Sequence, residues 1–141
     1  MENTKPSIDS KIRKIELPAI GSTELGYISI VENFKNIPFE IKRVYWTYYT
    51  PQNVKRGGHA HKSLNQLIVA VSGKIIFNFE ELSGIKTQFT LDNPSEGLLI
   101  PNMIWREIQF SHNAILLCVS SEEFKESDYI RSYSDFKLIQ K

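Results

Sequence analysis

Short runs in which apolar and polar residues alternate recur along the chain, broken by glycine, proline, serine and asparagine. Alternation with period two marks strands that bury one face. Tyr27 to Val31, preceded by Gly26, reads as a strand. Ile41 to Thr50 carries Val44, Tyr45, Trp46, Thr47, Tyr48 and Tyr49, a cluster of β-branched and aromatic residues suited to a pleated surface. Leu67 to Val71 and Lys74 to Phe79 flank Ser72-Gly73, a tight-turn signal. Thr87 to Leu91 follows Ser83-Gly84, a second hairpin. Gly97 to Ile100, Ile104 to Phe110 and Ala114 to Ser120 complete the set, with Ser111-His112-Asn113 as a turn. About eight or nine strands at this spacing predict an all-β antiparallel sandwich or barrel. One helix is expected near the end, capped by Ser127, because Tyr129, Ile130, Tyr133 and Phe136 recur at helical spacing. Residues 1–10 read as a flexible N-terminal tail and residues 11–141 as a single domain.

Length and composition fit that picture. A chain of 141 residues with 41% hydrophobic and 23% charged residues suits one globular domain. Its net charge of +1 gives no global attraction for nucleic acid or a membrane, so neither is expected as a partner. Any anionic ligand must be held by local arginines or lysines. Cys118, the one cysteine, lies in the apolar run from Ala114 to Val119 and reads as a buried small hydrophobe. A lone thiol and the lack of an apolar stretch of ~20 residues give a cytoplasmic reading.

The chemistry concentrates in Arg56-Gly57-Gly58-His59-Ala60-His61-Lys62. Histidines two apart on a strand share a face, which is either the interior or the solvent side. The paired glycines allow a ligand or a neighbouring backbone to come close. Gln66 lies five residues after His61, and Gly73 seven after Gln66. This spacing resembles the first cupin motif, His-x-His followed by glutamate and glycine. The segment from Gly97 to Arg106 resembles the second cupin motif, in which a histidine normally closes a metal site. The resemblance makes the expected fold a cupin or jelly-roll-type antiparallel β-barrel with a short C-terminal helical segment. Here Gln66 stands for the glutamate and Arg106 for the histidine. An amide offers one neutral oxygen and a guanidinium has no lone pair to donate, so the set is a poor divalent-metal site. No metal and no cofactor are therefore expected. Imidazoles suit proton transfer near neutral pH, and Arg56, Arg106 and Arg43 could hold a diphosphate or a developing oxyanion.

From about Ile15 to Phe136 the chain resembles the cupin-fold sugar-nucleotide 3,4-ketoisomerases, the WxcM-like proteins. The matching pieces are Asn36-Ile37-Pro38-Phe39 with Ile41-Lys42-Arg43-Val44-Tyr45, the arginine-glycine-histidine segment, Ile100-Pro101 with Ile104-Trp105-Arg106-Glu107, and Asp128-Tyr129-Ile130-Arg131. The resemblance implies a homodimer that exchanges its N-terminal strand. It implies a dTDP-linked 4-keto-6-deoxyhexose as substrate, with the carbonyl moving from C4 to C3 ahead of 3-amination in surface-polysaccharide biosynthesis. His59 and His61 would be catalytic, His61 at the carbons and His59 at the oxygens. Arg56, Arg106, Arg43, Gln66, Tyr45 and Trp105 would bind substrate. Arginine at position 106 looks like the members that give a gluco product, with the N-terminal partner position falling near Leu25-Gly26-Tyr27.

Three rival readings follow from the same residues. A 3,5-epimerase of 4-keto sugars would need base and acid on opposite sides of the ring, with one histidine activated by a carboxylate. A metal-dependent oxygenase is disfavoured by Gln66 and Arg106. A non-catalytic sugar-nucleotide-binding module would bind the ligand without moving its carbonyl.

Overall fold

The alternation read from the sequence becomes strands because it lets a strand turn one face to the core, while the strands Gln66–Ser72 and Glu96–Ile100 are buried on both faces over most of their length. The computed structural model describes residues 11–140, so the tail expected over residues 1–10 lies outside the described residues. In chain order the strands are β1 (Arg13–Glu16), β2 (Ile20–Ser22), β3 (Gly26–Ile28), β4 (Arg43–Thr47), β5 (Lys55–His61) and β6 (Gln66–Ser72). They continue with β7 (Ile75–Glu80), β8 (Lys86–Leu91), β9 (Glu96–Ile100), β10 (Trp105–Phe110), β11 (Ile115–Ser120) and β12 (Tyr129–Ile130). A 3-10 turn (Glu126–Asp128) precedes β12, and helix α1 (Tyr133–Ile139) follows it.

Two five-stranded antiparallel sheets form the body, ordered β1-β9-β6-β11-β4 and β12-β5-β10-β7-β8, with β2 and β3 as a separate hairpin. The all-β class is as expected, but the hydrogen-bond ladders stay open rather than closing into a barrel. Loops turn two of the corners, after β5 and after β9, and Pro101 in the second has no N–H with which to continue a ladder. Between the sheets lies a core that includes Ile68, Phe77, Phe79, Leu98, Ile108, Phe110, Leu116 and Cys118. The other face of the first sheet is covered by Leu17, Ile37 and Phe39, which pack on Leu67, Val69, Leu99 and Val119. The other face of the second sheet is covered by α1, whose Phe136 packs with Ala60, Trp105 and Ile130.

The helix differs from its expected start. Ser132 caps it, accepting from the Asp135 amide, while Tyr129 and Ile130 pair with His61 and Ala60 at the edge of β5. The helical spacing of Tyr129 and Ile130 with Tyr133 and Phe136 is thus coincidental, because the ladder to β5 holds the first two residues extended. Tyr27 to Val31 also yields a shorter strand, ending at Ile28. Among the described residues, no helix is long and apolar enough to cross a membrane.

Candidate active site

A β-bulge sets up the site. On β10, Glu107 pairs with Gly57 and Arg106 with His59, leaving Gly58 as the extra residue. Residues 56 and 59 are an odd number apart, so strict alternation would send Arg56 and His59 to opposite faces. The bulge resets the count, and both side chains border the same cavity. Gly57 and Gly58 supply the left-handed backbone this needs, with φ of 85° and 65°. A Cβ on Gly57 would also sit 2.8 Å from the Arg106 carbonyl oxygen. The two glycines therefore shape the strand that carries the histidines.

Deep between the sheets, Arg106 is 1% exposed. Its Nη1 donates to the Gln66 amide oxygen and its Nη2 to the Ile104 carbonyl, while Nε has no partner among the described residues. Gln66 Nε2 in turn donates to the Tyr45 hydroxyl (3.0 Å) and the Cys118 sulfur (3.3 Å). Gln66 thus braces Arg106 and Tyr45 from below and does not line the cavity itself. Burial pushes the Tyr45 phenol and the Cys118 thiol upward, so both stay protonated donors.

The two imidazoles sit edge to face, 4.8 Å between centroids. His59 lines the cavity and its Nδ1 lies 3.1 Å from the Gly57 carbonyl. His61 is one layer deeper, 1% exposed, with Nδ1 3.2 Å from an Asp128 carboxylate oxygen. Both partners accept hydrogen bonds only, so each Nδ1 carries the proton and each Nε2 keeps its lone pair. Burial, and then the Arg106 guanidinium, push His59 down to about 4 and also hold His61 well below the usual imidazole range. Both rings are neutral at pH 7. The Asp128 contact gives one histidine a carboxylate partner, a feature the epimerase reading calls for.

The cavity encloses about 400 Å³ and is lined by four arginines, Arg43, Arg56, Arg106 and Arg131, with no carboxylate among its lining residues. Arg43 lies over the Tyr45 ring, and its buried Nε and Nη2 have no hydrogen-bond partner among the described residues. Tyr129 closes the wall beside both histidines, 5.1 Å from His59 and 4.5 Å from His61. Among the residues expected to bind substrate, Arg43, Tyr45, Arg56 and Arg106 border the cavity. Trp105 does not. It neighbours Arg106 on β10, so its ring turns to the opposite face, where it packs on Tyr133 and Phe136. Asp128, Tyr129, Arg131 and Phe124 were not singled out as site residues, although the Asp-Tyr-Ile-Arg segment marked three of them.

Metal ligation does not fit this donor set. Arg106 occupies the position beside the histidines with a buried guanidinium, and the Gln66 oxygen is already engaged by it. Among the described residues, no group of three or more His, Cys, Asp or Glu side chains could hold a metal ion.

The chain and its fold have relatives. A model of the FdtA family, described as WxcM-like, C-terminal, matches residues 10–141. The chain belongs to this WxcM-like FdtA family. A TDP-4-oxo-6-deoxy-alpha-D-glucose-3,4-oxoisomerase from Aneurinibacillus thermoaerophilus is 38% identical over 113 residues, covering 79% of this chain and 81% of the relative. QdtA from Thermoanaerobacterium thermosaccharolyticum is a 3,4-ketoisomerase solved as a histidine-to-asparagine variant with TDP-4-keto-6-deoxyglucose. It superimposes with a TM-score of 0.86 at 30% identity, over 92% of this chain and 94% of that one. WlaRB, a TDP-quinovose 3,4-ketoisomerase from Campylobacter jejuni, gives 0.85 at 35% identity, over 92% and 99%.

Proposed function

We propose that this FdtA-family protein is a TDP-4-keto-6-deoxyhexose 3,4-ketoisomerase that works without a metal or cofactor. The observation that carries the reading is the pairing of two neutral imidazoles with a cavity lined by four arginines. The arginines suit the diphosphate and the sugar oxygens. Arg43 in particular has buried donors without a protein partner, a costly state that an anionic ligand would relieve. Tyr45, Arg56 and Arg106 complete the set proposed to contact substrate, with Gln66 acting through Arg106 and Tyr45.

The C4 carbonyl acidifies the hydrogen on C3. His61 Nε2 takes that proton, the C3–H electrons form the C3=C4 bond, and the carbonyl electrons move onto O4. The arginine guanidiniums hold the charge that develops there. His59 Nε2 accepts the O3 proton and returns it to O4, so the carbonyl re-forms at C3. The C3=C4 electrons then take the proton back from His61 at C4. One hydrogen has moved from C3 to C4 and one from O3 to O4, so the product is an isomer. The 3-keto product is suited to 3-amination for a surface polysaccharide, and Arg106 favours its gluco configuration. Cytoplasmic action on a nucleotide-activated sugar agrees with the lone reduced thiol of Cys118.

The molecule is further proposed to be a homodimer that exchanges its N-terminal strand. The exposed Ile20, Leu25, Tyr27 and Ile28 on and beside the β2–β3 hairpin support an interface there.

Incubation with TDP-4-keto-6-deoxyglucose in deuterated solvent, followed by NMR, tests the function. The expected product carries its carbonyl at C3 and an equatorial C4 hydroxyl, with deuterium at C4 to the extent that the proton held by His61 exchanges with solvent before it is returned. Label at C3 or C5 with the carbonyl still at C4 would instead identify an epimerase, and an unchanged sugar would identify a binding module.

A further inference from the structure

We propose that Asp128 is a positioning residue for His61, fixing Nε2 as its proton-accepting atom and supporting the cation formed when that proton arrives. The inference rests on the reading that His61 carries a proton during ketoisomerisation.

The two residues are 67 positions apart and meet because β12 is stitched to the edge of β5. Tyr129 pairs with His61, and the Asp128 carbonyl accepts from the Lys62 amide at 2.8 Å. One carboxylate oxygen accepts from the Ser63 amide at 2.7 Å, leaving the other aimed at His61 Nδ1. The carboxylate is therefore held at both ends before any substrate arrives. Its side chain is 12% exposed, so water competes little for it. The backbone that carries the facing ring is fixed as well, because the Met103 amide donates to the His61 carbonyl at 2.6 Å.

A carboxylate beside Nδ1 does two things. It accepts a hydrogen bond, which selects the Nδ1–H tautomer and frees Nε2. It also carries negative charge where the rest of the site carries positive charge. The groups around His61 are His59 on the same strand, Arg106 from β10, Arg43 from β4, and Tyr129 and Arg131 from the C-terminal segment. Arg106, His59, Arg43 and Arg131 all disfavour an imidazolium there. Among the described residues, Asp128 is the only carboxylate within hydrogen-bond distance of either ring. Without it, His61 would hold its captured proton poorly, and no acceptor at Nδ1 would select the Nδ1–H tautomer.

The competing possibility is a purely structural latch, in which Asp128 only ties β12 to Ser63. Asp128→Asn separates the two, because the amide oxygen can still accept from Ser63 while the charge is lost. The variant is expected to fold and bind TDP as the wild type does, with kcat lowered roughly a hundredfold and KM little changed. Asp128→Glu should restore part of the loss. Long-range proton–nitrogen NMR of the wild type, which needs no substrate, should report His61 with its proton on Nδ1, and the asparagine variant should lose that preference. Unchanged kcat in a folded Asp128→Asn protein, or a wild-type His61 protonated on Nε2, would overturn the inference. A wild type that turns over no TDP-4-keto-6-deoxyglucose counts against the ketoisomerase reading alone. The tautomer measurement still decides the role of Asp128.

Discussion

Along β5, β10 and β12 the inward side chains are His59, His61, Arg106 and Tyr129, whereas the outward ones are Ala60, Trp105 and Ile130. Neighbouring residues on one strand thus serve opposite purposes. The outward set is apolar and sealed by Phe136 of α1, so its contribution is burial. The inward set carries two imidazoles and the Arg106 guanidinium, whose buried Nε has no partner among the described residues. Unpaired polarity inside a fold is destabilising unless a ligand completes it. The face that costs stability is therefore the one proposed to carry function, and substitutions on the two faces should be felt in different measurements.

The largest effect is expected on the inward face. His61→Asn should lower kcat by roughly 10²–10⁴-fold, the usual worth of a positioned acid–base group. TDP binding should persist, because the arginines lining the cavity are untouched. Titration calorimetry and saturating kinetics measure the two quantities separately, and near-normal turnover would remove His61 from the proton path.

Phe136→Ala probes the outward face. Phe136 is fully buried against Trp105, so the truncation should cost about 3–5 kcal/mol of stability. Chemical denaturation should show that loss, while kcat per folded molecule changes far less than in His61→Asn. A collapse of kcat in folded Phe136→Ala protein would mean that the two faces are not separable.

Strand positions were the most legible part of this molecule. The alternation from Leu67 to Ser120 gave β6 to β11 to within about a residue at each end, because both flanking turns and one buried face constrain each run. The histidine pair and Arg106 were legible through motif spacing. Trp105 was misplaced because motif position says nothing about face, and its neighbour Arg106 had already taken the inward direction. The joint orientation of Arg56 and His59 was hidden, since it depends on an extra residue that only pairing with β10 reveals. Asp128 was hidden for a different reason. Its role comes from a contact across 67 residues, and no local pattern announces a ladder of two residues.

The most gradual expected effect, and the one that sharpens the contrast most, is the dependence of stability on pH. His59 has its folded-state value pushed from 6.5 to about 4, chiefly by burial and then by Arg106, against the opposing hydrogen bond to Gly57. Between those values the unfolded chain binds a proton that the folded chain does not. Stability from this group is therefore fully present above about pH 6.5, declines as the pH falls, and is gone below about 4. The slope can reach about 1.4 kcal/mol per pH unit for each such histidine. His61 adds to it in the same direction. The outward face responds in another window. Burial pushes the Glu80 carboxyl up, but hydrogen bonds from Tyr133, Gln140 and Lys137 outweigh it and hold the group below 4.5. Its contribution is present above 4.5 and is lost only as the pH falls through its lowered folded value. Denaturation curves from pH 7 to 4.5 should accordingly slope downward in the wild type and less steeply in His59→Gln, where His61 alone keeps the slope. Phe136→Ala should lower the whole curve and leave its slope unchanged. A wild-type curve that is flat over that range would show that the inward histidines are not held neutral by their surroundings.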